Sequence, residues 1–166
     1  MRIAVGLLLL LVAALFQVTL MMRINLLQGS ADLVLLVLVA WMLRPGTRPT
    51  WIWGLPAGLM IGYASALPDY IPLIGYLAAA GICQILHTRI WQVPLLTMVS
   101  ATLLGTIAVH LTTMVYLWLS AQPIDPVEIL NLITIPSMLL NLILVLPINA
   151  LIGEVNKFLS PELDPA

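Results

Sequence analysis

From Val127 to Phe158 the chain reads VEILNLITIPSMLLNLILVLPINALIGEVNKF, a segment long and apolar enough to cross a bilayer. It nevertheless carries Asn131, Thr134, Ser137, Asn141 and Asn149, with prolines at Pro136 and Pro147. At 100° per helical residue, Thr134, Ser137 and Asn141 stand at i, i+3 and i+7 and share one stripe. An unpaired amide or hydroxyl in hydrocarbon is costly, so this stripe is expected to face protein rather than lipid. Each proline also leaves a backbone carbonyl without its intrahelical donor, to be satisfied by a neighbour. The segment is therefore expected to be a helix held on one side by other parts of the chain.

The rest of the sequence supplies those parts. Of the 166 residues 62% are hydrophobic and 8% charged, against about 25% charged in soluble domains, so the chain reads as an integral membrane protein. Six apolar segments are expected: 3–22, 26–43, 50–67, 70–86, 93–119 and 127–153. Together they make an all-α, six-helix transmembrane bundle in a single domain, 1–158, followed by a short tail, 159–166. The second segment is the weakest. Gln28-Gly29-Ser30-Ala31-Asp32 interrupts it, and 33–43 alone is too short to span. Either a helix begins near Ser30, with Ser30 capping it and Asp32 in its first turn, or the break is re-entrant. With six spans, Arg2, Arg44, Arg48, Arg89 and Lys157 fall on one side and only Arg23 on the other. The positive-inside rule then places both termini in the cytoplasm. No cleavage site follows the first apolar run, which reads as a retained span.

Several residue patterns invite a functional reading. Gly54, Gly58, Gly62 and Ala66 recur every four residues in the third segment, and Gly75, Ala79 and Cys83 do so in the fourth. Such ridges let helix backbones approach closely, either against each other or against a partner. Thr102, Thr106, His110 and Thr113 form a polar stripe on the fifth segment. His110 suggests a proton relay or ligand site, or more simply a neutral histidine bonded to a threonine or to the last helix; a relay also calls for a carboxylate in a segment centre, and the acidic residues instead fall at span ends or in loops. Asp32, at the break in the second segment, is the exception. A single cysteine excludes an internal disulfide, no metal or cofactor motif is present, and a net charge of −1 gives no hint of nucleic-acid binding. The enzyme signatures HExxH, GxSxG and a phosphate-binding glycine loop are absent from the sequence.

The order of several short motifs resembles the rod shape-determining protein MreD family. Leu15-Phe16-Gln17-Val18-Thr19 is similar to the end of that family's first segment. Ala31-Asp32-Leu33-Val34-Leu35-Leu36 with Ala40-Trp41 resembles its Pro-Asp-Leu-rich second segment. Gly54-Leu55 to Gly58-Leu59 with Ser65 resembles its third, and Pro136-Ser137, Asn141 and Pro147 resemble its last. Ala31 stands where the family often has proline, and Gly62 where it often has aspartate. The resemblance implies a non-enzymatic component of the bacterial cell-elongation machinery in the cytoplasmic membrane. Its implied partners are an MreC-like single-pass protein, a RodA-type glycosyltransferase, a class B transpeptidase, the MreB filament and membrane lipids. It also implies a fold similar to the substrate-binding component of energy-coupling-factor transporters. A small-molecule-binding subunit of that transporter type is the alternative reading, although residues 3–22 lack the Ala-x-x-x-Ala docking pattern such subunits carry.

Overall fold

The structure, a computed structural model, describes residues 2–19, 25–44, 47, 51–89, 94–122 and 125–159. Its helices are α1 (Arg2–Thr19), α2 (Leu33–Met42), α3 (Trp51–Ala64), α4 (Tyr70–Arg89), α5 (Pro94–Leu119) and α6 (Pro126–Leu159). A small antiparallel hairpin, β1 (Asn25–Leu26) and β2 (Gly29–Ser30), precedes α2 and pairs Asn25 with Ser30 and Leu26 with Gly29. Among the described residues α1, α4, α5 and α6 are long and apolar enough to cross a membrane. The protein is a helical membrane protein. At 1.5 Å per residue, α2 is only about 15 Å long and α3 about 21 Å, both short of a ~30 Å hydrocarbon core. The positions of Arg23 and Arg48, used in the topology argument, and the tail from 160 onward lie outside the described residues.

The shortest helix is the core. Val34, Leu35, Leu36, Leu38, Val39, Ala40, Trp41 and Met42 of α2 are all buried, as expected of a helix apolar on every side. It touches α1, α3, α4, α5 and α6. Gly6 of α1 admits this core at close range, since a Cβ there would lie 2.5 Å from the Trp53 ring and 2.7 Å from Trp41 Nε1. Trp53 packs edge-on against Trp41, and its Nε1 donates to the carbonyl of Thr47 at 2.9 Å.

The small-residue ridges serve two different contacts. Gly54 and Gly58 of α3 meet α4 so closely that a Cβ would stand 2.9 Å from Tyr76 O and 2.6 Å from Leu73 Cα. Gly62 abuts Asp69 at the start of α4 in the same way. Gly75 and Ala79 lie on a different side of α4 and face α5, against Val109 and Thr112 for Gly75 and Gly105 for Ala79. The two ridges therefore do not meet each other. Ala66 is not part of either, because α3 ends at Ala64 and Ala66 is exposed in the bend that follows.

The last helix begins with Asp125 as cap, its Oδ1 accepting from Val127 N at 2.9 Å, and Pro126 in the first turn. Residues Leu130–Thr134 then form a π turn before the α-helix resumes at Ile135. At the far end Arg44 Nη2 donates to both the carbonyl and Oδ1 of Asn149 at 2.7 Å, and Arg2 reaches Asn156 Oδ1 at 3.5 Å. Arg2, Arg44 and Lys157 thus gather at one end of the bundle.

Candidate functional site

Proline at 136 has no N–H, so the carbonyl of Leu132 four residues earlier is left without its helical donor. Gln28 N, at the turn of the hairpin, donates to that carbonyl at 3.1 Å. This approach requires a bare backbone at Gly29: a Cβ there would stand 2.6 Å from Ile133 O and 2.7 Å from Ser137 N. One residue on, Ser30 N donates to Ser137 Oγ at 3.1 Å. Asp32 N then donates to Asn141 Oδ1 at 2.8 Å, and Asn141 Nδ2 donates across to Thr106 Oγ1 of α5 at 2.9 Å. Thr106 in turn donates to the Thr102 carbonyl of its own helix. The polar stripe of α6 is therefore the docking strip for an irregular stretch of backbone.

The same stretch starts α2. Asp32, not Ser30, is its N-cap: Oδ1 accepts from Leu35 N at 2.9 Å. Tyr76 Oη of α4 lies 2.7 Å from both carboxylate oxygens, so one phenol hydrogen is shared between them. The Leu33 N–H, a second donor with no partner within the helix, is taken by Gln17 Oε1 of α1 at 2.6 Å. Buried backbone groups at a helix start have to be satisfied, and here α1 supplies the acceptor for Leu33 N and α6 the one for Asp32 N, while α4 donates to the carboxylate of the cap.

Asn141 is about 22 Å along α6 from Pro126, and Thr106 about 20 Å along α5 from Leu119. Both are close to mid-helix, which puts the Asp32 carboxylate at mid-depth in the bundle. Of the two readings of the break, a helix starting near Ser30 with Asp32 in its first turn is corrected: Asp32 is the cap, the second segment folds inward there, as a re-entrant break would, and α2 begins inside. A carboxylate does therefore lie in a segment centre, placed there by a loop.

His110 takes a separate contact. Its Nδ1 is 3.1 Å from Thr134 Oγ1, at the end of the π turn, and it shares no hydrogen bond with Asn141. Thr113 donates to the Val109 carbonyl within α5 and makes no hydrogen bond to another helix among the described residues. Thr102 is buried, and its Oγ1 has no hydrogen-bond partner among the described residues. Thr134, Ser137 and Asn141 are all buried, as is Thr106. Sequence reasoning did not single out Gly29, or Tyr76. The signal for Gly29 was its place beside a proline-freed carbonyl, visible only once the hairpin is opposite α6. For Tyr76 there was none, since an isolated tyrosine in an apolar segment has no preferred partner.

Among the described residues no group of three or more His, Cys, Asp or Glu side chains is placed to hold a metal ion. No protein-family profile matches this chain, and no curated protein or solved structure is detectably similar to it. What the seam can do chemically is hold: it ties α1, the hairpin, α2, α4, α5 and α6 at one level through paired donors and acceptors.

Proposed function

We propose that this chain is a non-enzymatic subunit of the bacterial cell-elongation machinery, embedded in the cytoplasmic membrane and binding an MreC-like single-pass protein. In this reading it works beside a RodA-type glycosyltransferase, a class B transpeptidase and MreB. The observation that carries the reading is where the resembling residues fall. Gln17, Asp32, Ser137 and Asn141, drawn from three separated motifs, converge on the seam that starts α2. Four loosely spaced residues that serve one structural device are better explained by a shared architecture than by composition. The bundle's exterior, with large apolar residues such as Ile74, Ile143, Leu151 and Phe158 exposed, suits partners within the membrane.

Six crossings with both termini in the cytoplasm belong to the same proposal. Support comes from the second segment, which touches α6 at Leu132 through Gln28 and at Asn149 through Arg44. Those contacts are about 26 Å apart along α6. Hairpin and half-helix together thus cover nearly the distance of one span.

The test is co-purification from a rod-shaped bacterium in mild detergent. The tagged chain should retain the MreC-like protein, and its depletion should round the cells. Normal rods and an empty pull-down would defeat the reading. In a Cys83→Ala background, an impermeant thiol reagent should label Gln122→Cys but not Phe158→Cys in intact cells. The reverse pattern would overturn the orientation.

A further inference from the structure

A groove of about 560 Å³ opens on the outside of the bundle between the C-terminal half of α5 and the first turns of α6. Its walls are apolar: Ile107, Leu111 and Met114 on one side, Leu130, Ile135 and Met138 on the other. Two polar residues, His110 and Thr134, share the lining. Leu130 and Thr134 are the first and last residues of the π turn, so the groove runs along the one place where α6 departs from α-helical winding. Such turns are frequent at functional sites.

The histidine sets what can bind. Nδ1 is engaged by Thr134 Oγ1, and the second ring nitrogen, Nε2, has no hydrogen-bond partner among the described residues. Thr134 has no other bond for its hydroxyl hydrogen among the described residues, so it can donate to Nδ1, which leaves Nε2 as an N–H donor. His110 is about 13 Å along α5 from Leu119 and Thr134 about 12 Å along α6 from Pro126, well below the helix ends. A partner for Nε2 at that depth must bring an acceptor oxygen on an apolar body, and the volume lies in the range of small-molecule sites, about 300–1,000 Å³. Apart from His110 and Thr134 the lining offers a water or an ion no polar side chain.

We propose that this groove is a lipid site: it takes one long acyl chain, with a carbonyl or carboxyl oxygen of that lipid accepting from the open nitrogen of His110. The site stands apart from the seam, and it holds whether or not the chain serves cell elongation.

The protein in phosphatidylcholine vesicles, given trace long-chain fatty acid with a photoactivatable diazirine, tests this. Irradiation should label residues 107–114 and 126–138 saturably, and excess unlabelled oleic acid should compete. Leu111→Trp fills the groove from an exposed position, so it should leave the melting temperature unchanged and cut labelling at least fivefold. His110→Leu should cut it several-fold, and His110→Gln, which keeps an N–H donor, should restore most of it. Labelling spread over all exposed faces without saturation would overturn the proposal, as would groove labelling indifferent to Leu111→Trp. Cross-linking of the groove to a second copy of the chain would also overturn it.

Discussion

The two halves of this bundle are held together by different means. Where α3, α4 and α5 meet, contact is made by Gly54, Gly58, Gly75, Ala79 and Gly105, and backbones touch almost directly. Where the hairpin and α2 meet α6, contact is made by hydrogen bonds from backbone N–H groups to Ser137, Asn141 and a proline-freed carbonyl. The difference follows from the solvent. In lipid, apolar side chains gain little by leaving one apolar surface for another, so regular helices associate through close packing. An irregular segment has backbone groups that lipid cannot satisfy, and it can exist at depth only where protein supplies partners. The first half is tolerant of polarity loss and intolerant of bulk; the second is intolerant of both.

The largest effect is expected at Gly29→Val, which drives a branched side chain into Ile133 O and Ser137 N. Overpacking of up to about 3 kcal/mol adds to about 1–3 for the Leu132 carbonyl that loses Gln28. Denaturation in nanodiscs would report it, and a wild-type melting curve would mean that the hairpin does not sit on α6. Gly58→Leu should cost about 2–3 kcal/mol by overpacking alone, since Leu73 Cα occupies the space. It should leave Asp32 and its neighbours in place, so hydrogen-exchange protection of the Leu33 and Leu35 amides should persist. Loss of that protection would show the two halves to be one cooperative unit.

Asp32→Ala is expected to cost about 2 kcal/mol, roughly half from the lost cap and half from the stranded Tyr76 hydroxyl. Asp32→Asn keeps an acceptor for Leu35 N and for the phenol and should cost less than about 1 kcal/mol. Equal losses for the two variants would mean that the amide replaces neither the cap nor the acceptor of the phenol, and that the charge of the carboxylate is what holds both. A double-mutant cycle between Asn141 and Thr106 should show coupling of about 0.6 kcal/mol, up to ~1.7, as interhelical bonds in membranes do. The same cycle with His110 should give zero, because the two side chains hold different partners. The smallest change is of opposite sign. No described atom lies within 4 Å of a Cβ built on Gly81, so Gly81→Ala should stabilise α4 by about 0.5–1 kcal/mol. Destabilisation there would point to a third packed face on α4.

Much of this was determined by sequence alone, and for physical reasons. Hydropathy sets where helices can lie, because lipid offers backbone groups no partners and a helix satisfies most of its own within the segment. Helical periodicity likewise sets that Thr134, Ser137 and Asn141 share a face, and the absence of an N–H in proline sets that Leu132 needs an outside donor. Glycine spacing marks smooth helix sides but does not say which side meets which neighbour, so Gly75 turned out to face α5 rather than the ridge of α3. Nor does sequence give depth to a residue in a break. Taken alone, the second segment allows either a helix capped by Ser30 with Asp32 in the first turn or a re-entrant break. Only the tertiary structure could place Asp32 at mid-bundle, because its partners Tyr76 and Asn141 come from helices 44 and 109 residues away in the chain, and no local pattern records which of them a loop will reach.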